Sequence, residues 1–172
     1  EVEKLAFRLL ELVSISLGLP GDRLTGFFNE QTSFLRFNHY PPCPNPELAL
    51  GVGRHKDGGA LTVLAQDSVG GLQVSRRSDG QWIPVKPISD ALIMNRGNCI
   101  QVWTNDAYWS AEQRVVVNTS KERFSIPFFF FPSHEANIEP LEELISEENP
   151  PCYKKYNWGK FFVSRNRSDF KK

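Results

Sequence analysis

The chain has 172 residues, enough for one domain with a real core, and 40% of them are hydrophobic. Twenty Lys and Arg balance twenty Asp and Glu, which argues against a general nucleic-acid binder, since such proteins carry a basic excess. Cys43, Cys99 and Cys152 form no CxxC pair, so neither a zinc ribbon nor a thioredoxin-like centre is supported.

The chain opens at Glu1 without a Met, inside a helical pattern, and so reads as a fragment. Val2, Leu5, Ala6, Leu9, Leu10, Val13 and Leu17 recur at helical spacing, and residues 2–17 are predicted to form an amphipathic packing helix ended by Gly18 and Pro20. A short second helix is expected near Asp22, a candidate N-cap. From Ser33 the texture changes to short β-rich runs separated by turn signals. Strands are expected near 33–39, 60–66, 71–76, 81–85, 91–94, 99–103, 113–118 and 123–131. Eight short strands at this spacing predict a mainly β sandwich or barrel, and a jelly roll manages their edges. After Pro132 the chain turns charged, and 139–148 reads as a surface helix stopped by Pro150 and Pro151. The expected division is 1–32 flanking helices, 33–134 β core and 135–172 helical segment. The basic stretch 165–172 reads as a solvated tail. Trp82, Trp103, Trp109 and Trp158 read as packing aromatics, and Asp67, Gly70 and Gly71 as turn residues. No signal-peptide pattern and no bilayer-length apolar run is present, so a reducing, cytoplasmic setting is expected.

Three short segments carry chemistry. His55 and Asp57 stand two apart, so an extended strand points both to one face, where an imidazole and a carboxylate can converge on a divalent metal. Alone, such a triplet arises often by chance. Arg123 and Ser125 share a face by the same logic, with Phe124 and Ile126 on the other. They suit a carboxylate ligand, although an Arg pairing with a structural acid at a strand end explains the pattern as well. Asn38 and Tyr40 share a face, His39 takes the opposite one, and Pro41 and Pro42 stop the strand.

Together the segments are more specific. The order is Asn38-x-Tyr40-Pro41-Pro42-Cys43-Pro44, His55-x-Asp57, Gln66-Asp67-x-Val69-Gly70-Gly71-Leu72-Gln73-Val74, Trp103-Thr104-Asn105, Arg114-Val115-Val116-Val117-Asn118 and Arg123-x-Ser125. In this the chain resembles the plant iron(II)/2-oxoglutarate-dependent dioxygenases, the family of flavonol synthase, anthocyanidin synthase, gibberellin oxygenases and alkaloid oxygenases, over nearly its whole length. The resemblance implies a double-stranded β-helix with flanking helices. It implies Fe(II) in a two-His, one-carboxylate site, with His55 and Asp57 as catalytic metal ligands. The co-substrate 2-oxoglutarate would meet Arg123, Ser125 and Tyr40 at its distal carboxylate, with Asn38 near the other, and ascorbate would serve as reductant. The family oxidises 2-oxoglutarate to succinate and CO2 while hydroxylating or desaturating a small organic substrate. No nucleic-acid or membrane partner is implied, and a monomer is the family default.

The resemblance breaks at one point. Where the family writes the His of a Glu-His-Arg-Val run, this chain reads Glu112-Gln113-Arg114-Val115. Gln113 offers a neutral amide oxygen, and a large loss of iron affinity is expected, since even changes beyond the ligands cost about 10–100-fold. His39 and His134, the other two histidines, are poor substitutes: one faces away from Tyr40 and the other follows the last strand. Relative to the family, both ends look short, which predicts exposed apolar side chains at Phe124, Ile126, Phe128 and Phe130. Three readings stand: a dioxygenase impaired by Gln113, a non-catalytic protein that retains 2-oxoglutarate, and an inactive relic.

Overall fold

The computed structural model describes the backbone of residues 1–168 and the side chains through Ser164. The elements in chain order are α1 (Val2–Ser16), a 3-10 turn (Thr25–Phe28), β1 (Phe34–Leu35), β2 (Asn38–Tyr40), β3 (Leu50–His55), β4 (Leu61–Gln66), β5 (Leu72–Ser75), β6 (Trp82–Pro84) and β7 (Ile93–Arg96). They continue with α2 (Asn98–Trp103), β8 (Gln113–Val116), β9 (Arg123–Phe130), β10 (Asn137–Ile138), a 3-10 turn (Glu142–Leu144), β11 (Tyr156–Asn157) and α3 (Trp158–Ser168). The expected basic tail at 165–172 lies outside the described side chains.

Two antiparallel sheets carry the fold. In one, β9 lies between β4 and the β1 and β2 pair, and β7 closes the far edge of β4; the other runs β3-β8-β5-β6. The long strand β9 explains how the sheet is used. Its residues alternate strictly at the start, with Arg123 and Ser125 buried and Phe124 and Ile126 exposed. Arg123, Ser125, Pro127 and Phe129 turn toward the second sheet and line a cavity. Further along the outer side, Phe128 and Phe130 are covered by α1 and the first 3-10 turn. The Phe130 ring stacks on Phe28 at 4.2 Å and meets Phe7 edge-on at 4.9 Å. The main hydrophobic core therefore sits outside the first sheet, around Leu10, Leu24, Phe130 and Trp103. Between the sheets only a small apolar cluster of Tyr40, Leu72 and Val115 is packed, and the rest of that space is the cavity. Of the four side chains expected to be bare, Phe124 and Ile126 are exposed, but Phe128 and Phe130 are buried.

Several local expectations change. The run 99–103, expected as a strand, is helix α2, and Cys99 through Trp103 are all buried. A short run buried on every side carries no periodicity that separates strand from helix. The expected strand 33–39 is split into β1 and β2 at Arg36 and Phe37. Strand β3 has no counterpart among the expected strands, because Gly51 and Gly53 dilute its β signal. The expected helix at 139–148 shrinks to one 3-10 turn, Glu142–Leu144. Pro140 disfavours a helical Glu139, and Ile138 is instead paired with Tyr156. Helix α3 has no specific counterpart in the expected elements either.

Gly97 and Gly59 are needed for close approach: a Cβ at Gly97 would strike the Gly59 carbonyl. That contact joins the start of α2 to the turn after Asp57, where Asn98 N–H donates to the Asp57 carbonyl at 2.8 Å. Cys43, Cys99 and Cys152 are free thiols. Among the described residues, no helix is long and apolar enough to cross a membrane.

Candidate active site

Asn38, Tyr40, His55, Asp57, Gln113, Arg123 and Ser125 all line the one cavity between the sheets. Every site residue singled out from the sequence is thus brought together. The route differs from expectation in one respect. His55 ends β3, but Asp57 lies beyond the strand, in the turn before β4. Asp57 is aimed inward by side chains from other strands rather than by strand alternation.

Asp57 is 5% exposed. Its Oδ2 accepts from Thr62 Oγ1 at 2.8 Å and from Asn95 Nδ2 at 2.9 Å. Its Oδ1 lies 3.6 Å from His55 Nε2. Burial opposes ionisation of Asp57, but the hydrogen bonds from His55, Thr62 and Asn95 outweigh it and hold the carboxyl below its ordinary range. His55 Nδ1 is held at 2.8 Å by the Gly53 carbonyl, which turns Nε2 into the cavity. A proton or a divalent cation between Nε2 and Oδ1 satisfies both. Neighbouring donors on an octahedral cation stand roughly 3 Å apart when each bond is about 2.1 Å, so the pair is close to ligating geometry. The third side chain is Gln113, opposite His55 in the β3–β8 ladder, with its Nε2 3.4 Å from His55 Nε2. It offers an amide rather than a second imidazole, and among the described residues no group of three His, Cys, Asp or Glu could hold a metal. The donor set fits a divalent cation through two side chains, with the amide oxygen as a weaker third.

At the other end of the cavity, Arg123 is 3% exposed. Its Nη2 donates to Gln66 Oε1 at 3.0 Å, its Nη1 meets Ser125 Oγ at 3.4 Å, and its guanidinium lies 5.0 Å from the Tyr40 ring centre. Asn38 Nδ2 also reaches Ser125 Oγ at 3.4 Å. Among the described residues Arg123 has no carboxylate partner, and its Nε is buried without any hydrogen bond. The expected alternative, an Arg paired with a structural acid, is therefore not what the fold builds. The cavity thus holds an imidazole beside a carboxylate and, elsewhere on its wall, a buried guanidinium that meets only neutral groups.

A second cleft opens on the same His55 and Asp57, walled by Phe34, Phe129, Phe131, Trp158 and Phe161. Helix α3 supplies part of that wall. Of the expected poor substitutes, His39 is exposed, stacked on Phe124 and paired with Glu122. His134 is exposed, beyond the end of β9, with its carbonyl accepting from Gly159 N–H at 3.1 Å. Thr62, Asn95 and Gln66 are the residues that sequence reasoning assigned no role. The available signal was a polar side chain two residues from an apolar one and so on the same strand face, as Asn95 is with Ile93.

Comparison with known proteins agrees with this fold. Lateral Branching Oxidoreductase 1 of Arabidopsis thaliana is 45% identical over 164 residues, covering 94% of this chain and 44% of that protein. DMR6-Like Oxygenase 1 of the same plant is 45% identical over 172 residues, covering 97% and 48%. The crystal structure of JOX2 in complex with 2OG, Fe and JA superposes with a TM-score of 0.89 at 43% identity, covering 95% of this chain and 48% of that one. The chain spans about half the length of the curated relatives it matches. The profile of the 2OG-Fe(II) oxygenase superfamily matches residues 31–132, and the chain belongs to that superfamily.

Proposed function

We propose that this chain is the catalytic barrel of an Fe(II)- and 2-oxoglutarate-dependent dioxygenase acting on a small organic metabolite, with its iron site weakened by Gln113. His55 and Asp57 are the metal ligands in this reading, and Gln113 stands where the family carries a second His. Arg123, Ser125 and Tyr40 take the distal carboxylate of 2-oxoglutarate, and Asn38 lies toward its other end. When bound, iron supplies the oxygen chemistry that couples oxidation of 2-oxoglutarate to hydroxylation or desaturation of the substrate. The chain's own residues bind and orient.

The observation that carries the reading is Arg123. A buried cation is costly unless paired, and this one meets only neutral groups. An anion must enter the cavity to complete it. A dicarboxylate that reaches from Arg123 to the His55 and Asp57 end fits both demands. The aromatic cleft beside those two residues is the place for the organic substrate. Relatives whose names refer to jasmonate induction and to flavonoid demethylation support a plant metabolite of that size. Three free thiols accord with a reducing compartment.

The test is anaerobic mixing with Fe(II) and 2-oxoglutarate, reading the weak visible charge-transfer band of the chelate, beside a Gln113→His variant. A strong band is expected in the variant and a weaker one in the native chain, which should need at least about 10–100-fold more iron, the cost of changes beyond the ligands themselves. No band in either overturns the reading. A second reading, a non-catalytic protein that retains the dicarboxylate, is favoured by the amide contact of Gln113 with His55. It predicts 2-oxoglutarate binding without succinate release even at saturating iron and oxygen.

A further inference from the structure

Gln66 ends β4, and its position follows from the register. It pairs with Ser125, which pairs in turn with Asn38, so three polar residues stand in one row across β4, β9 and β2. Directly paired residues project to the same face. Gln66 Oε1 accepts from Arg123 Nη2 at 3.0 Å, which commits the amide orientation, since the flipped amide would set donor against donor. Two donors are then left buried without partners, Gln66 Nε2 and Arg123 Nε. Native proteins rarely leave such donors unmet unless a ligand or water completes them.

We propose that Gln66 is a positioning residue for the dicarboxylate co-substrate: its neutral amide holds the Arg123 guanidinium in place without cancelling its charge. The inference rests on the dicarboxylate reading above. An acid at this position would make the same contact, but as an ion pair. It would supply the counter-anion from within and remove the reason for a carboxylate to enter. An aliphatic residue would keep the charge available but release the guanidinium from its orientation. Glutamine is the side chain of this length that does neither.

The probe is glutarate, which carries both carboxylates but no 2-oxo group, so its binding needs no metal. Calorimetry in chelator-treated buffer compares the native chain with Gln66→Glu and Gln66→Leu, and thermal unfolding is followed for all three. Gln66→Glu is expected to lose about tenfold or more in glutarate affinity while its unfolding midpoint holds or rises, because an ion pair replaces a charge–dipole contact. A merely structural glutamine would couple loss of binding to loss of stability. Gln66→Leu, with its fold checked by circular dichroism, is expected to bind about tenfold more weakly through lost orientation. Native-like glutarate affinity in Gln66→Glu overturns the role of Gln66 and leaves the dicarboxylate reading standing. If Gln66→Glu does not fold, native-like affinity in Gln66→Leu overturns it instead. Absence of heat from the native chain, with glutarate and with 2-oxoglutarate plus Mn(II), overturns the dicarboxylate reading and this role together.

Discussion

Asp57 and Arg123 are both buried charges in one cavity, and the fold treats them in opposite ways. Asp57 is surrounded by donors: Thr62 and Asn95 take Oδ2 and leave Oδ1 facing His55. This restricts the carboxylate to one outward oxygen and one orientation. Losing such support costs about 10–100-fold in metal affinity in comparable sites. Thr62→Val is therefore expected to weaken Mn(II) binding by about that factor, with Thr62→Ser restoring most of it. Calorimetric titration with Mn(II) reads this without requiring turnover, and unchanged affinity in Thr62→Val would show that Asn95 alone suffices. Arg123 has the reverse surroundings, dipoles without an anion. Both residues were singled out from the sequence, but their opposite surroundings were not readable from residue types, because the groups packed around each come from other segments of the chain. What was readable was the pairing of types: His55 with Asp57, Arg123 with Ser125. Their partners Thr62, Asn95 and Gln66 lie 5, 38 and 57 residues from the groups they hold, beyond the reach of local spacing except for the first.

At the scale of elements, β9 performs two tasks with its two faces. Its inner face lines the site and its outer face anchors the core, so its alternation was legible from Arg123 to Ile126. It was less legible among the consecutive phenylalanines 128–131, because both faces there are apolar and only the tertiary covering separates them. Phe130 is fully buried between Phe7 and Phe28, whereas Phe124 is 48% exposed and rests on His39. Phe130→Ala is expected to cost about 3–5 kcal/mol, as for other large-to-small core changes. Phe124→Ala is expected to cost under about 1 kcal/mol, since surface changes seldom do more. Urea unfolding of both variants measures the difference, and equal costs would contradict the assignment of the core to the outer side of β9 near its C-terminal end. Helix α2 marks where elements resist local reading: its five buried residues fit either period.

Across the whole molecule, the segment after β10 is tied back to the N-terminal helices by one ion pair. Arg23 Nη2 donates to Glu143 Oε2 at 3.1 Å, and its Nε contacts Oε1. The Arg23 hydrogen bond is the largest influence on Glu143 and holds its carboxyl below the ordinary 4.5. A carboxylate with a depressed folded pKa stabilises the fold above its unfolded value. That contribution is lost as pH falls through the lower folded value. The pair is partly exposed, so its worth is under about 1 kcal/mol. Glu143→Gln is expected to lower stability by that small amount at pH 7 and by nothing below the folded pKa. Unfolding curves for the two proteins should therefore converge in acid, and a gap that persists at low pH would show the glutamate acting through packing instead.

The amino-acid sequence by itself determined the β-rich class, the two-apart placement of His55 and Asp57 and the glutamine at position 113, because each depends on residue type and short spacing. The superfamily that the ordered set of motifs from Asn38 to Ser125 resembles is the one whose profile matches residues 31–132. Only the tertiary structure decided that the core lies outside the first sheet, that Asp57 is aimed by Thr62 and Asn95 rather than by strand alternation, and that Arg123 is buried without an anion. Those properties are set by strand register and by contacts between distant segments. Burial and charge compensation depend on every group that packs around a side chain, and no local window of sequence contains them.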